Sequence, residues 1–148
     1  TKKEKKMNLD IIQEQWSKDS IIDSDLYGEE SVKIARLHAK YFEYMNTFNA
    51  MKIESEAKLK SLLKEKWKYY KGKAPATVYR EVPFDLKLTS REEVETFING
   101  DSDVIKLRSK LSYIEMCTNY LDSIIRTVNN RGFHIKNAID WEKFQAGM

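Results

Sequence analysis

Lysines and large aromatic side chains are crowded into residues 59–73, the stretch of this sequence with the most evident chemistry. An ammonium group binds phosphate through its charge, and a flat aromatic ring can stack on an unpaired base. Because the segment offers both kinds of group, it predicts a site for single-stranded nucleic acid. The residues predicted to contact the strand are Lys58, Lys60, Lys64, Lys66, Trp67, Lys68, Tyr69, Tyr70, Lys71 and Lys73.

On a helix, which turns by about 100° per residue, these side chains separate into two faces. One face is a stripe of lysines: Lys60, Lys64, Lys68 and Lys71. The opposite arc is apolar, with Lys66 in its middle, and consists of Leu59, Leu62, Leu63 and Tyr70. Because an unpaired ammonium group is costly to bury, Lys66 must either extend to solvent or meet an anion. Trp67 and Tyr69 flank the apolar arc.

The charge distribution also indicates a localised site. Residues 52–73 contain eight lysines and three glutamates, a net charge of +5, whereas the whole chain of 148 residues carries +3. A nearly neutral body with one basic patch is typical of polyanion binding. Two other interpretations stay open: a non-enzymatic coiled-coil adaptor whose lysine-rich face is merely solvated, and a membrane-surface protein that uses this helix end on anionic lipid.

Helices must position these groups, because the sequence has only 5 glycines and 2 prolines to interrupt them. The pattern predicts a short helix over 8–17, a long helix over 25–70 ended by Gly72, and a second long helix from 101 ended by Gly132. A capping box at Ser90–Glu93 predicts a short helix ending at 99–100, and a last helix follows over 134–146. Residues 73–89 are predicted to be extended, with a small hairpin as an option.

The predicted fold is mainly α: a long helical hairpin with short flanking helices and an irregular, extended connector. A basic, disordered arm over 1–7 precedes a single helical domain over 8–148, which divides into 8–73, the connector 74–100 and 101–148. The apolar stripes of both long helices are too wide for a hairpin to cover. They predict self-association into a ring-like homo-oligomer, with a monomeric three- or four-helix bundle as the alternative.

Catalytic and metal chemistry are not indicated. Gly72-Lys73 is not a phosphate-binding loop, because Trp67 stands where its first glycine is needed and Ala74 where Ser or Thr is needed. Three other reactive side chains lack partners at metal-ligand spacing: His38, Cys117 and His134. We therefore expect no enzyme activity, no metal and no cofactor. No apolar run approaches the roughly 20 residues that span a bilayer, so we expect a cytoplasmic protein without a membrane partner.

Two blocks of the sequence match a known family in order and spacing. The first is Lys64-Glu65-Lys66-Trp67-Lys68-Tyr69-Tyr70-Lys71-Gly72, and the second is Arg131-Gly132-Phe133-His134-Ile135-Lys136 followed by Phe144-Gln145-Ala146-Gly147. On these residues the chain resembles the UvsY family of phage recombination mediators, which load a RecA-like recombinase. Ile22-Asp23-Ser24 and Asp103-Val104 match as well. The resemblance extends over nearly the whole chain from Met7 and is weakest over 73–100.

The resemblance implies a mediator that binds single-stranded DNA and helps load a RecA-like phage recombinase in place of the phage single-strand-binding protein. It implies action in the cytoplasm of the infected host. The paired basic residues of the first block are the family's DNA contacts, and they fall on Lys64 and Lys66. The family has arginine at the second position, so Lys66 keeps the charge but loses the planar fork.

The resemblance further implies a homo-oligomer that assembles through its C-terminal part, residues 101–148. The apolar side chains predicted to mediate this assembly are Leu111, Ile114, Leu121, Ile125, Val128, Phe133, Ile135, Ile139 and Phe144.

Overall fold

The computed structural model describes residues 6–148, in which it contains six helices and no β-strand. Residues 1–5 of the predicted basic arm lie outside the described part. The helices are α1 (Leu9–Asp19), α2 (Tyr27–Val32), α3 (Ile34–Tyr70), α4 (Ala76–Glu81), α5 (Arg91–Asn99) and α6 (Ser102–Gln145). The mainly α fold class predicted from the sequence is therefore confirmed.

The chain divides into two compact units, and α3 and α6 each contribute to both. The first unit contains the described residues up to Asn49 together with Met116–Met148, and the second contains Ala50–Glu115. In each unit a part of α3 packs against a part of α6, which gives the predicted pair of long helices. The remaining helices of each unit cover this pair.

The first unit has an apolar core with one buried ion pair. Asn8 caps α1 by accepting a hydrogen bond from the Ile11 backbone N–H at 2.9 Å. The core includes Ile12, Tyr41, Phe48, Leu121, Ile124, Val128 and Ile135. Arg131 of α6 donates through Nη2 to Glu30 of α2 at 3.0 Å, and both side chains are buried. Removing either partner would leave an unpaired buried charge, so this pair ties α2 to α6.

The predicted helix end at Gly132 is wrong, because α6 continues through this residue to Gln145. Among the described glycines, Gly72 and Gly147 have positive φ, both 75°, and Gly132 does not. Glycine inside a helix costs about 1 kcal/mol relative to alanine. Burial of the neighbouring Arg131 and Ile135 outweighs that cost, so packing carries the helix across a residue that locally favours an end.

The other predicted elements were largely correct. The first long helix is present as α2 and α3, which are separated at Lys33. Gly72 follows α3 in the left-handed conformation, as a C-terminal stop requires. Ser90 caps α5 by accepting from the Glu93 N–H at 3.2 Å, which confirms the predicted helix start. The Glu93 carboxylate accepts from the Thr89 N–H at 3.1 Å, one residue before the partner that a capping box uses. The optional hairpin was wrong: Ala76–Glu81 forms α4 instead, since Pro75 precedes it and sets up a helix start.

The second unit has a small core formed by α3, α5 and α6. Val94, Ile98 and Val104 are buried at its centre. The side chains packed against them are Leu59, Leu62, Leu63, Tyr70 and Leu88. Burying a side chain of this size contributes about 1.5–3 kcal/mol. The apolar arc predicted for α3 thus faces the core, and this orientation directs the lysine stripe of α3 away from it.

Candidate nucleic-acid interface

The lysine stripe is solvent-exposed at the C-terminal end of α3. Lys60, Lys64 and Lys68 are exposed, and Lys71 is partly buried just after the helix. Within residues 6–148 none of these four ammonium groups has a carboxylate partner within salt-bridge distance. We call these four residues the lysine face. Uncompensated ammonium groups on one side of a helix are able to bind successive phosphates.

Two further predicted contacts lie outside the lysine face, and Lys58 stands about 80° around the α3 axis from Lys68, its nearest member in angle. Lys58 pairs with Glu54 at 2.9 Å, one turn earlier on α3, and both side chains are exposed. A pair of this kind contributes little and is screened by salt, so Lys58 can exchange its partner. Lys73 places its Nζ 4.9 Å from the centre of the Trp67 ring. That geometry brings one cation and one aromatic face together at the same point.

Lys66 does not share this surface, because its ammonium group is bound by two carboxylates of the second unit. Its Nζ lies 3.2 Å from Oδ2 of Asp101 and 2.8 Å from Oδ2 of Asp103, and its side chain is 20% exposed. Burial alone would lower the pKa of Lys66, but the hydrogen bonds to Asp103 and Asp101 raise it above its usual value. Of the two possibilities that the sequence allowed, Lys66 therefore meets an anion, and that anion belongs to its own chain.

Asp101 is the centre of this network. Its Oδ1 caps α6 by accepting from the Asp103 and Val104 N–H groups at 2.9 and 3.3 Å. Its Oδ2 accepts from the Tyr70 hydroxyl at 2.6 Å and from Lys66. Burial favours the neutral acid, but the hydrogen bonds from Tyr70, Lys66 and the backbone outweigh it and hold the pKa of Asp101 below its usual value. The sequence pattern indicated Asp101 and Asp103 only as helix-start charges, since nothing local links them to Lys66.

Tyr69 and Tyr70 belong to an aromatic cluster within the second unit. Tyr69 stacks on Tyr79 with ring centres 5.4 Å apart, and Tyr70 meets Phe84 and Phe97 at 5.1 and 5.7 Å. The Tyr79 hydroxyl also donates to the Tyr69 carbonyl at 2.7 Å. These contacts fold the 73–90 segment against the end of α3 and occupy both tyrosine rings. Trp67, which is 42% exposed, is the more accessible aromatic of the run.

The predicted oligomerisation residues fall into three groups. Four are buried within the chain itself: Ile114, Leu121, Val128 and Ile135. Leu111, Ile125 and Ile139 are partly buried. Phe133 and Phe144 are 69% and 72% exposed, and Trp141, which the sequence pattern did not single out, is 59% exposed. At 100° per residue, these last three aromatics lie within about 80° of one another on α6, on the side away from Ile135.

The described residues contain no helix long and apolar enough to cross a membrane. In the same residues, no three histidine, cysteine, aspartate or glutamate side chains are grouped so that they could hold a metal ion.

Comparison with known proteins identifies relatives along nearly the whole chain. The family model described as "Recombination, repair and ssDNA binding protein UvsY" matches residues 15–148. The chain is 27% identical over 141 residues to the recombination protein uvsY of Enterobacteria phage T4, with 95% of this chain and 99% of the relative covered.

Solved structures of the same relative have the same fold. The crystal structure of the bacteriophage T4 recombination mediator protein UvsY in lattice type II matches with a TM-score of 0.83 at 26% identity, covering 95% of this chain and 98% of that one. Its lattice type I structure matches with a TM-score of 0.81 at 25% identity, covering 91% and 98%. The range matched by the family model, residues 15–148, contains both α3, with its lysine face, and the C-terminal part of α6.

Proposed function

Because the chain belongs to the UvsY family of recombination, repair and single-stranded-DNA-binding proteins, we propose that it is a recombination mediator that binds single-stranded DNA. In the cytoplasm of the infected cell it helps a RecA-like phage recombinase replace the phage single-strand-binding protein. The observation that carries this proposal is the family match over residues 15–148. The proposal requires a surface that binds an unpaired strand, several copies of that surface on one particle, and a way to release the strand.

The surface for the strand is the lysine face, extended by Lys58 and Lys73. Each lysine that meets a phosphate releases condensed counterions, which gives affinity without sequence preference. Lys66 contributes by fixing α6 against α3, since its own charge is already compensated by Asp101 and Asp103. An unpaired strand is favoured over a duplex because its bases are free to meet Trp67.

A homo-oligomer multiplies this surface. The exposed aromatics Phe133, Trp141 and Phe144 lie together on the C-terminal part of α6. A monomeric surface rarely leaves such a patch uncovered, and a second copy of the chain can bury it in a closed ring. Several lysine faces on one particle then bind one strand with an avidity that exceeds that of any single face.

Transfer of the strand from the single-strand-binding protein to the recombinase depends on many weak contacts. Phosphate contacts through flexible, exposed lysines break and re-form individually, so the assembly can hold a strand while a neighbouring segment is exchanged. Holding the strand weakens its contacts with the single-strand-binding protein and lets recombinase subunits nucleate on the freed segment. None of these steps needs nucleotide hydrolysis by the mediator itself.

The double variant Lys64→Ala/Lys68→Ala tests DNA binding by the lysine face. Both side chains are exposed and unpaired, so the variant should fold normally. We expect weaker binding of a fluorescent single-stranded oligonucleotide, measured by anisotropy over a series of salt concentrations. The slope of log K against log salt should fall by about 0.7 for each phosphate that the variant no longer neutralises.

The matched control for this experiment is Lys106→Ala. Lys106 is exposed in the same unit but lies on the side of α6 away from the core residue Val104, about 200° around the helix axis. Its removal should leave the slope unchanged. If the double variant instead bound DNA with wild-type affinity and slope, the lysine face would be merely solvated, as in the coiled-coil adaptor.

A further inference from the structure

A cavity of about 480 Å³ lies beside Trp67 in the second unit. Leu63, Val94 and Ile98, together with the indole ring, give it apolar walls. The polar side chains that line it are Arg91, Glu95, Asn99 and Arg108. Its volume is within the roughly 300–1,000 Å³ of typical small-ligand sites, and apolar walls with a few polar groups are typical of such sites.

Trp67 differs from the tyrosines beside it in what its ring contacts. Tyr69 and Tyr70 pack into the aromatic cluster, whereas Trp67 is 42% exposed and lines the cavity. Burial of an aromatic ring is favourable, so an indole left open in a concave site has unused stacking capacity. Trp67 also lies on α3 next to the lysine face, at about 40° from Lys71 around the helix axis.

Two of the four polar side chains that line the cavity are cationic, Arg91 and Arg108, and Lys73 lies outside the lining, against the Trp67 ring. Arg108 donates through Nη1 to Asn99 Oδ1 at 2.8 Å, which fixes the guanidinium group and leaves its other N–H donors available. Arg91 is 91% exposed and pairs through Nε with Glu95 at 2.9 Å. Lys73 holds its ammonium group over the indole ring. Besides the compensated Arg91–Glu95 pair, one cation, Arg108, lines the cavity with Trp67, and a second, Lys73, lies over the same indole ring.

We propose that this cavity takes one unstacked base of the bound strand, which stacks on Trp67 while Arg108 and Lys73 meet the flanking phosphates. A nucleotide is the ligand that combines a flat apolar ring with a negative charge, and the cavity combines an indole ring with cations. The base site rests on the proposed DNA-binding function, in which unpaired bases meet Trp67, and it assigns that contact to this cavity and adds Arg108 as a phosphate contact. The lysine face contacts only phosphate groups, whereas this site requires an unpaired base.

The test compares Trp67→Leu and Trp67→Phe on two oligonucleotides of equal length. One is an ordinary single strand, and the other carries abasic residues throughout, so it has the same phosphates without bases. Leucine keeps the cavity wall apolar but removes the aromatic face, while phenylalanine keeps a face. We expect Trp67→Leu to weaken binding of the ordinary strand by about fivefold or more, which corresponds to about 1 kcal/mol of stacking.

Three further results are expected. Trp67→Leu should bind the abasic strand as the wild type does, and its salt slope should be unchanged. Trp67→Phe should restore most of the affinity for the ordinary strand. Arg108→Gln should lower the salt slope by about 0.7 on both strands, while Arg126→Gln, an exposed position on α6 in the first unit, should not.

The outcomes separate the base site from the proposed function. If the wild type binds both strands with a salt-dependent affinity and Trp67→Leu binds them equally well, the base site is wrong and phosphate binding stands. If the wild type binds neither strand, the proposed function itself fails. An equal decrease in affinity for the ordinary and the abasic strand would show that Trp67 acts by packing, which also overturns the base site.

Discussion

A comparison of two lysines shows that residue type alone does not decide whether a side chain is available at the candidate interface. Lys64 and Lys66 stand two positions apart in the same basic run, yet one is exposed and the other is bound by Asp101 and Asp103. The attraction between the Lys66 ammonium group and these carboxylates is stronger than it would be in bulk water, because Asp101 is buried. Substituting Lys66 would therefore disturb the fold, whereas substituting Lys64 removes only a surface charge.

Asp101→Asn tests this network at the residue scale. Asparagine caps helices as well as aspartate does, so the variant keeps the α6 cap and removes the charge that binds Lys66. The variant has no charged carboxylate at position 101 to accept the hydrogen bonds from Lys66 and Tyr70. We therefore expect the free energy of unfolding at pH 7, measured by urea denaturation, to fall by about 1–3 kcal/mol. Asp103→Asn, whose side chain is 64% exposed, should cost less than about 1 kcal/mol.

The pH dependence of this difference follows from the lowered pKa of Asp101. The folded protein holds this proton less tightly than the unfolded chain, so the stabilisation is complete above the unfolded pKa of about 3.9. It is lost as the pH falls through the lower, folded pKa. The difference in stability between wild type and Asp101→Asn should thus shrink as the pH falls below the unfolded pKa. An equal difference at pH 3 and pH 7 would contradict the charge-based account.

At the scale of elements, two glycines in similar local sequence have opposite roles. Gly72 follows α3 with φ of 75° and ends it, whereas Gly132 lies within α6. A Cβ at Gly132 would approach Ile34 Cδ1 no closer than 3.9 Å, an ordinary van der Waals distance. The helix therefore does not need glycine there for space or for backbone conformation.

A pair of alanine variants tests this difference. Gly132→Ala should raise the free energy of unfolding by about 0.5–1 kcal/mol, because alanine loses less entropy in a helix interior. Gly72→Ala should lower it by about 1–2 kcal/mol, because its Cβ is strained at positive φ. Chemical denaturation of both variants measures these changes. A destabilised Gly132→Ala would mean that α6 ends at this residue after all.

At the scale of the whole molecule, the surfaces proposed for DNA binding and for assembly belong to different units. The lysine face belongs to the second unit, and the exposed aromatics of α6 belong to the first. Most of the central apolar residues of α6 are buried within the single chain. The apolar stripe from which we predicted assembly is therefore mainly part of the chain's own core. The exposed aromatics near its C-terminal end are the part that we propose another copy covers.

The double variant Phe133→Glu/Phe144→Glu tests assembly through these aromatics. Both rings are mostly exposed, so the chain should keep its helical circular dichroism while charge repulsion separates the copies. We expect a lower mass by light scattering and weaker DNA binding because avidity decreases. Ile21→Glu, at a side chain 68% exposed in the first unit, is the control. An unchanged mass for the double variant would place the interface elsewhere.

Local patterns were enough to predict α1, α3, α5, the start of α6 and the two faces of α3, but not α4. Apolar positions repeating at helical spacing fix which side packs inward, so Leu59, Leu62 and Leu63 were correctly placed against the core. The stop at Gly72 and the cap at Ser90 were also predictable, because each depends on neighbours within a few residues. The unbroken course of α6 was not predictable, since it depends on packing around Arg131 and Ile135.

The sequence by itself determined a mainly helical chain with one concentrated basic stretch and a family resemblance, because these properties are local or compositional. Only the tertiary structure decided which members of that stretch stay accessible. Asp101 neutralises Lys66 from 35 positions away, and Phe84 and Phe97 enclose the tyrosine rings. Packing alone brings Arg108 and Asn99 to the same cavity as Trp67. Contacts between distant residues depend on how helices pack, and no spacing within one helix encodes them.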